Sequence, residues 1–229
     1  MTQKAIIFDS STLISMSMNG LFDELRNLKK IFGGSFFITQ DVKREIIDKP
    51  LTIKKFELEA LKLKELLEEG VLEIPSALGV NEKDLYKDIE KLKNIANTTY
   101  KSKRNDIYII DSGETSCLVL SKALTEKGIK NVVAVDERTI RMLCEKPDNL
   151  KKLLAKKLHT PISALDENFK YFKGFKFIRS SELLYVSYKK GLVKLKGPMV
   201  LDALLYAVKF KGCAISDDEI KEIEKIRGY

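Results

Sequence analysis

"AIIFDSSTLI", residues 5–14, joins an apolar run directly to a carboxylate and three hydroxyl side chains. The four apolar residues at 5–8 are typical of a strand buried on both faces of a parallel sheet. The run ends at Asp9, which is followed by Ser10, Ser11 and Thr12. A carboxylate at the very end of a buried strand belongs neither to the core nor plainly to the solvent, so Asp9 is a candidate functional residue.

The rest of the chain alternates short apolar runs with amphipathic stretches. Strands are predicted at 5–8, 35–39, 71–75, 131–135 and 175–178. The helices between them include one over 12–28, broken at Asn19-Gly20, and one over 82–101. This order indicates an α/β fold of three layers, α/β/α, with a central, mostly parallel sheet and helical insertions. We treat residues 1–229 as a single domain.

Ligands of such sheets bind beyond the carboxyl ends of the strands. Asp9 and Asp136 each follow a predicted buried strand, so both are expected at that edge. Glu45 and Glu114 lie near the starts of predicted helices and could join them. Clustered carboxylates repel one another and raise each other's pKa, and a divalent cation removes that penalty. Mg²⁺ or Mn²⁺, which take oxygen ligands, are the cofactors that this pattern favours.

Each of these carboxylates also has a purely structural interpretation. Asp9 and Asp136 could cap the helices that follow them. Asp111 and Glu114 have the spacing of a capping box, which we prefer as the role of Asp111. Glu45 could be an exposed helix charge beside its basic neighbours. The joint placement of the acids at strand ends and helix starts therefore carries more weight than any single residue.

The hydroxyl and guanidinium groups near these acids have two interpretations as well. Ser10, Ser11 and Thr12 could orient a metal-bound carboxylate, contact a substrate phosphate or cap the next helix. Arg138 could bind a substrate phosphate through two hydrogen bonds, or pair with Glu137 or another acid of the cluster.

The composition narrows the function classes. The chain has 41 Lys and Arg against 33 Asp and Glu, a net charge of +8, which favours an anionic partner, nucleic acid first. The three cysteines are widely spaced, so neither a zinc site nor a disulfide framework is expected. Reduced thiols are typical of a cytoplasmic protein, which is the location we expect. The single histidine, His159, is expected in a surface loop. No apolar run approaches the ~20 residues of a membrane span, so no membrane partner is expected.

Four segments together resemble the PIN domain family, which includes VapC-type toxin ribonucleases and RNA-processing nucleases. They are "IIFDSSTLI" (6–14), "ITQDVKREII" (38–47), "DSGETSCLVLSKAL" (111–124) and "VVAVDERTIRML" (132–143). The resemblance is to a subgroup with Gly-Glu in the third segment, and it extends to "ELLYVSYKKGLV" (182–193). It implies metal-binding, catalytic roles for Asp9, Glu45, Glu114 and Asp136, and a hydroxyl role for Ser11. Asp111 has no firm counterpart in the subgroup.

The implied activity is Mg²⁺- or Mn²⁺-dependent hydrolysis of RNA phosphodiester bonds. Two alternatives remain open: a toxin neutralised by an antitoxin, or a non-catalytic PIN module that binds RNA or protein in RNA processing. The partners are then RNA and an antitoxin or RNA-processing protein, and a homodimer is compatible with the sequence.

The chain departs from a compact PIN domain in two places. Residues 50–105 are expected to form a helical elaboration, and residues 146–174 a lysine-rich insertion. The basic stretch at 149–159 within the insertion is either a solvated helix face or a guide for RNA. In the second case Lys151, Lys152, Lys156 and Lys157 would contact the phosphate backbone.

Overall fold

The computed structural model describes residues 3–75, 82–103 and 105–226. The strands in these ranges are β1 (Lys4–Phe8), β2 (Ser35–Phe37), β3 (Tyr100–Lys101), β4 (Lys130–Ala134), β5 (Ser163–Ala164) and β6 (Phe177–Ile178). The helices are α1 (Ser10–Met18), α2 (Phe22–Phe32), α3 (Gln40–Lys43), α4 (Glu57–Glu68), α5 (Glu82–Thr99), α6 (Ser112–Glu126), α7 (Arg138–Glu145), α8 (Pro147–Leu158), α9 (Ser180–Lys189), α10 (Val200–Lys209) and α11 (Asp217–Lys225). A π-helical turn at Arg44–Asp48 and 3-10 turns at Pro50–Thr52 and Asp166–Phe172 complete them.

Four strands form a central sheet in the order β2-β1-β4-β6, and all of its pairings are parallel. Ile6 lies between Phe36 on one side and Val132 on the other. Helices flank this sheet on both sides, so the predicted three-layer α/β/α architecture is confirmed. Because every strand runs the same way, the carboxyl ends of β1 and β4 meet at one edge of the sheet.

The centre of the core explains why β1 is an uninterrupted apolar run. Ile7 and Phe8 are fully buried, as expected for a strand covered on both faces. The ring of Phe8 packs against Phe36 of β2, with ring centroids 5.0 Å apart. Helix α6 lies against β1 and β4 and is covered in turn by α5, so α6 is buried along most of its length.

The first helical stretch breaks where its sequence predicts. Asn19 closes α1, and its side-chain amide donates to Ser15 O, 2.8 Å away. Gly20 then has φ +70°, a left-handed conformation that favours glycine. The turn directs α2 away from α1 and ends with Leu21 N–H donating to Met16 O.

The two segments that lengthen the chain contribute to the same core. Helix α4, within 50–105, buries Leu63 and Leu66, and α8, within 146–174, buries Leu150 and Leu154. All four side chains belong to the hydrophobic cluster that contains β1. Residues 76–81 and 104, which fall in the first of these segments, lie outside the described residues.

The predicted strand at 71–75 is wrong. Only Glu73 pairs with the edge of the sheet, through one parallel bridge to Phe37. The N–H groups of Val71 and Leu72 donate instead to Leu66 O at the end of α4, and Pro75 has no N–H to donate. A short antiparallel pair, β3 with β5, was not predicted. Within the described ranges, no helix combines the length and the apolar character that a membrane crossing requires.

Candidate metal centre

Asp9 stands at the carboxyl end of β1 and begins α1. Its N–H donates to Ala134 O of β4, 2.9 Å away, so the backbone at Asp9 still belongs to the sheet. One carboxylate oxygen, Oδ2, accepts the N–H of Ser11 at 3.0 Å and the Ser11 hydroxyl at 2.5 Å. The other, Oδ1, is buried and has no hydrogen-bond partner among the described residues. Asp9 thus caps α1 through Oδ2, and its Oδ1 remains available to a ligand.

Glu114 also combines a capping role with an open oxygen. Asp111 Oδ1 accepts the N–H of Glu114 at 2.9 Å, and Glu114 Oε2 accepts the N–H of Asp111 at 3.1 Å. This is the predicted capping box at the start of α6. The remaining oxygen, Glu114 Oε1, is buried and, within the described part of the chain, accepts no hydrogen bond.

Glu45 approaches the start of α6 from the π-helical turn that continues α3. Gly113 makes that approach possible, since a Cβ atom at Gly113 would lie 2.6 Å from Glu45 Oε1 and 2.7 Å from Oε2. Real Cβ atoms do not come so close to a carboxylate, so a larger residue at 113 would displace Glu45. The half-buried Glu45 side chain therefore occupies a space that only glycine leaves free.

Burial and mutual repulsion make the ionised forms of Asp9, Glu45 and Glu114 unfavourable. Burial raises the pKa of Asp9 from 3.8 to about 6, against the lowering effect of the Ser11 hydrogen bonds. Burial, followed by the charges of Asp111 and Asp9, raises the pKa of Glu45 from 4.5 to about 7. Burial, followed by the charges of Asp9 and Asp111, raises the pKa of Glu114 from 4.5 to about 9. Each group therefore resists holding a negative charge in the absence of a cation.

Asp136 has a different environment, although it follows the neighbouring strand. Its Oδ1 accepts the N–H of Ser180 at 2.7 Å and its Oδ2 accepts the Ser180 hydroxyl at 2.6 Å. The Thr12 hydroxyl donates to Oδ1 as well, at 3.4 Å. Both oxygens of this fully buried carboxylate thus have partners, and they tie β4 to the start of α9. Its role as a metal ligand stays a prediction.

The serine and threonine residues after Asp9 mainly serve the carboxylates. Ser11 links the two strand-end acids, because its hydroxyl donates to Asp9 and accepts the N–H of Asp136 at 3.0 Å. Thr12 is fully buried and faces Asp136, so it orients that acid and does not reach the solvent. The Ser10 hydroxyl acts on Glu45, where it lowers the pKa against the effect of burial.

Arg138 is the first residue of α7 and forms no ion pair with a described carboxylate, Glu137 included. It lines a wide cleft beside the carboxylate edge. Its predicted contact with a substrate phosphate is therefore sterically open.

Sequence reasoning missed three residues of this region. The charge of Glu137 contributes to the raised pKa of Glu114, and the Asp136-Glu137 doublet was its only signal. Gly113 could have been found as a glycine in the first turn of an otherwise apolar helix. Ser180 had no local signal, because it meets Asp136 across 44 residues of sequence.

The open oxygens of Asp9 and Glu114 fit a hard divalent cation. Mg²⁺ is typically held by one or two carboxylates and keeps several waters, so it does not require a closed cage of protein ligands. The described side chains contain no group of three or more His, Cys, Asp or Glu arranged to hold one ion, so the four-carboxylate site stays a prediction. The donor set is an open pair with Glu45 beside it, and all three would be relieved of their electrostatic penalty by a cation.

No protein-family model, curated protein or solved structure matches the chain.

Proposed function

We propose that the chain is a Mg²⁺- or Mn²⁺-dependent endoribonuclease with the architecture of a PIN domain. The observation that carries the proposal is the pair of buried, unpartnered carboxylate oxygens, Asp9 Oδ1 and Glu114 Oε1, at the carboxyl edge of a parallel sheet. Buried polar atoms nearly always have a partner, so two exceptions in one coupled group of acids call for a ligand. A cation would satisfy both oxygens and remove the repulsion together.

Asp9 and Glu114 would hold the ion, and Glu45 lies next to them as a third oxygen donor. When bound, a divalent cation neutralises charge on a phosphate and lowers the pKa of a bound water. Ser11 engages Asp9 Oδ2 and leaves Oδ1 without a partner among the described residues. Asp136, through Thr12 and Ser180, fixes the neighbouring strand end and helix starts.

Proton transfer would fall to a carboxylate. His159, the single histidine, is exposed at the end of α8 and has none of the contacts described above. Glu45 is half-buried, whereas Asp9 and Glu114 are buried, so its carboxylate is the one of the three that can exchange a proton with substrate and solvent. In this proposal Glu45 takes up the proton released as the phosphodiester is hydrolysed.

RNA is the proposed substrate because the chain carries a net charge of +8 and resembles a family of ribonucleases. All three cysteines are free, which fits the reduced thiols of a cytoplasmic protein. A toxin or an RNA-processing enzyme would use the same carboxylate chemistry, so both biological roles are compatible with the proposed reaction.

Cleavage of a labelled RNA with Mg²⁺, with Mn²⁺ and with EDTA tests the proposal. Asp9→Asn and Glu114→Gln should each lower the rate by more than about 100-fold, since even residues that only support metal ligands account for 10–100-fold. Glu126→Gln is the matched control, because it makes the same change at the exposed end of the same helix. Cleavage that persists in EDTA, or that Asp9→Asn and Glu114→Gln retain at the rate of Glu126→Gln, would refute the proposed function.

A further inference from the structure

A wide cleft lies between α7 and α8 on one side and the start of α11 on the other. Its volume is about 820 Å³, and α7, α8 and the residues before α9 and α11 line it. Six basic side chains face it: Arg138, Arg141, Lys146, Lys152, Lys156 and Arg179. Half of these residues belong to the lysine-rich insertion at 146–174.

Two of the six are engaged within the protein. Arg179 forms ion pairs with Glu182 and Glu219, the second at 2.8 Å. Arg141 donates to the carbonyl oxygens of Glu137 and Ala214. These contacts hold the walls of the cleft together and fix both guanidinium groups in place.

The other four basic side chains have no partner among the described side chains. Arg138, Lys146, Lys152 and Lys156 form no ion pair or hydrogen bond with any described side chain. The lining has two carboxylates to set against them, and one of these, Glu219, already pairs with Arg179. The cleft therefore presents an excess of uncompensated positive charge.

The open cations lie on α7, on α8 or between the two helices, and Arg138 begins α7 two residues after Asp136, at the carboxyl end of β4. Lys152 and Lys156 are four residues apart on α8, and Asn149 is three residues before Lys152, so the three lie on one helix face. Arg138 directly follows Glu137, whose charge reaches Glu114. A chain of phosphates bound along this face would lead towards the proposed metal ligands.

We propose that this cleft binds the phosphate backbone of single-stranded RNA and guides it to the carboxylate edge, an inference that rests on the proposed function. Clefts of about 300–1,000 Å³ hold ligands of drug size, so this one accommodates a few nucleotides of one strand. Its described lining contains no aromatic ring for base stacking. Binding is therefore electrostatic and nearly independent of base sequence.

The structure also divides the four lysines of the basic stretch into two pairs. Lys152 and Lys156 line the cleft, whereas Lys151 and Lys157 do not. Both pairs belong to α8 and carry the same charge. Lys151→Ala with Lys157→Ala is thus a control that matches Lys152→Ala with Lys156→Ala in net charge, residue type and helix.

The test is the salt dependence of binding to a short fluorescent oligouridylate, measured in EDTA between about 50 and 200 mM salt. EDTA prevents metal-dependent cleavage, so the result does not depend on whether the chain is a nuclease. Each lost phosphate contact flattens the slope of log K against log salt by about 0.7 for a single strand, so Lys152→Ala with Lys156→Ala should flatten it by about 1.4. The control pair should keep the slope of the wild type.

Equal slopes for the wild type and both double variants would overturn the proposal. Equal flattening in both variants would overturn it too, because net charge would then account for binding. Loss of binding to a polyglutamate peptide, with the RNA slope unchanged, would assign the cleft to an acidic protein segment. Lys152→Arg with Lys156→Arg keeps both charges and should restore the slope, which separates a charge contact from a packing effect.

Discussion

The ends of β1 and β4 look alike in sequence and differ in chemistry. The two strands are neighbours, Phe8 pairs with Ala134, and each strand is followed within two residues by a buried aspartate. Asp9 keeps an unpartnered oxygen and has a pKa raised to about 6 by burial. Asp136 has both oxygens hydrogen-bonded, chiefly by Ser180.

The difference between Asp9 and Asp136 separates the position of a carboxylate from its chemical role. The strand end determines where a carboxylate lies, because parallel strands deliver their last residues to one edge. The partners that reach the carboxylate from elsewhere in the chain determine what it can do. An acid whose oxygens are all satisfied holds elements together, whereas an acid with an open oxygen can take a ligand.

Replacing Asp136 should have the largest effect on stability. Asp136→Ala leaves the buried N–H and O–H of Ser180 without their acceptor, which should cost about 3 kcal/mol of the free energy of unfolding. For a chain of this size that lowers the Tm by about 6–12 °C. Thermal unfolding in EDTA measures it, with Asp136→Asn as an intermediate case because one acceptor oxygen remains. A Tm within about 2 °C of the wild type would remove the structural role of Asp136.

Gly113→Ala should weaken the proposed metal site and leave the fold intact. The new methyl group would lie 2.6 Å from Glu45 Oε1 and displace that flexible side chain. Alanine is the better helix former, so the free energy of unfolding should be unchanged or slightly raised. The affinity for Mn²⁺ should fall by about 10–100-fold, as when the support of a metal ligand is lost. Unchanged affinity, measured by calorimetric titration, would show that Glu45 is not part of the site.

The same three acids should make the stability of the metal-free protein depend on pH. The pKa values of Asp9, Glu45 and Glu114 are about 6, 7 and 9 in the folded protein, above their ordinary values of 3.8, 4.5 and 4.5. The folded state therefore binds more protons than the unfolded state between these limits, so stability falls as pH rises from about 4 to 9.

Asp9→Asn removes one of these groups. The metal-free variant should therefore be more stable than the wild type at pH 8, by up to about 3 kcal/mol or about 6–12 °C in Tm, and equal to it near pH 4. Melting curves in EDTA at the two pH values measure the difference. A variant less stable than the wild type at pH 8 would mean that the capping role of Asp9 outweighs its desolvation.

The central sheet was predictable because its strands are short apolar runs, two of which are followed directly by the aspartates Asp9 and Asp136. Asn19 and Gly20 likewise marked the break between α1 and α2. The pairing of β3 with β5 was not predictable, since it joins Tyr100 to Ala164 and Tyr100 reads locally as the end of a helix. Pairings between distant segments leave no trace in the local pattern of either one.

In the candidate site, too, some features could be predicted from local sequence and others could not. Asp9, Glu45 and Glu114 could be nominated from strand ends and helix starts, and the capping box of Asp111 from its spacing. The engagement of Asp136 by Ser180 could not, because Ser180 belongs to a helix that the sheet brings to it. Sequence position thus predicts which acids gather at the edge, and the tertiary fold decides which oxygens stay open.

Calorimetric titration with Mn²⁺ tests most directly whether the open oxygens of Asp9 and Glu114 bind a divalent cation. The wild type and Glu126→Gln should bind with the same affinity, whereas Asp9→Asn and Glu114→Gln should each weaken binding by at least about tenfold, about 1.4 kcal/mol. Asp136→Asn should weaken it less than either. Equal Mn²⁺ affinity in the wild type, Asp9→Asn and Glu114→Gln would contradict the account, because the unpartnered oxygens would then not be metal ligands.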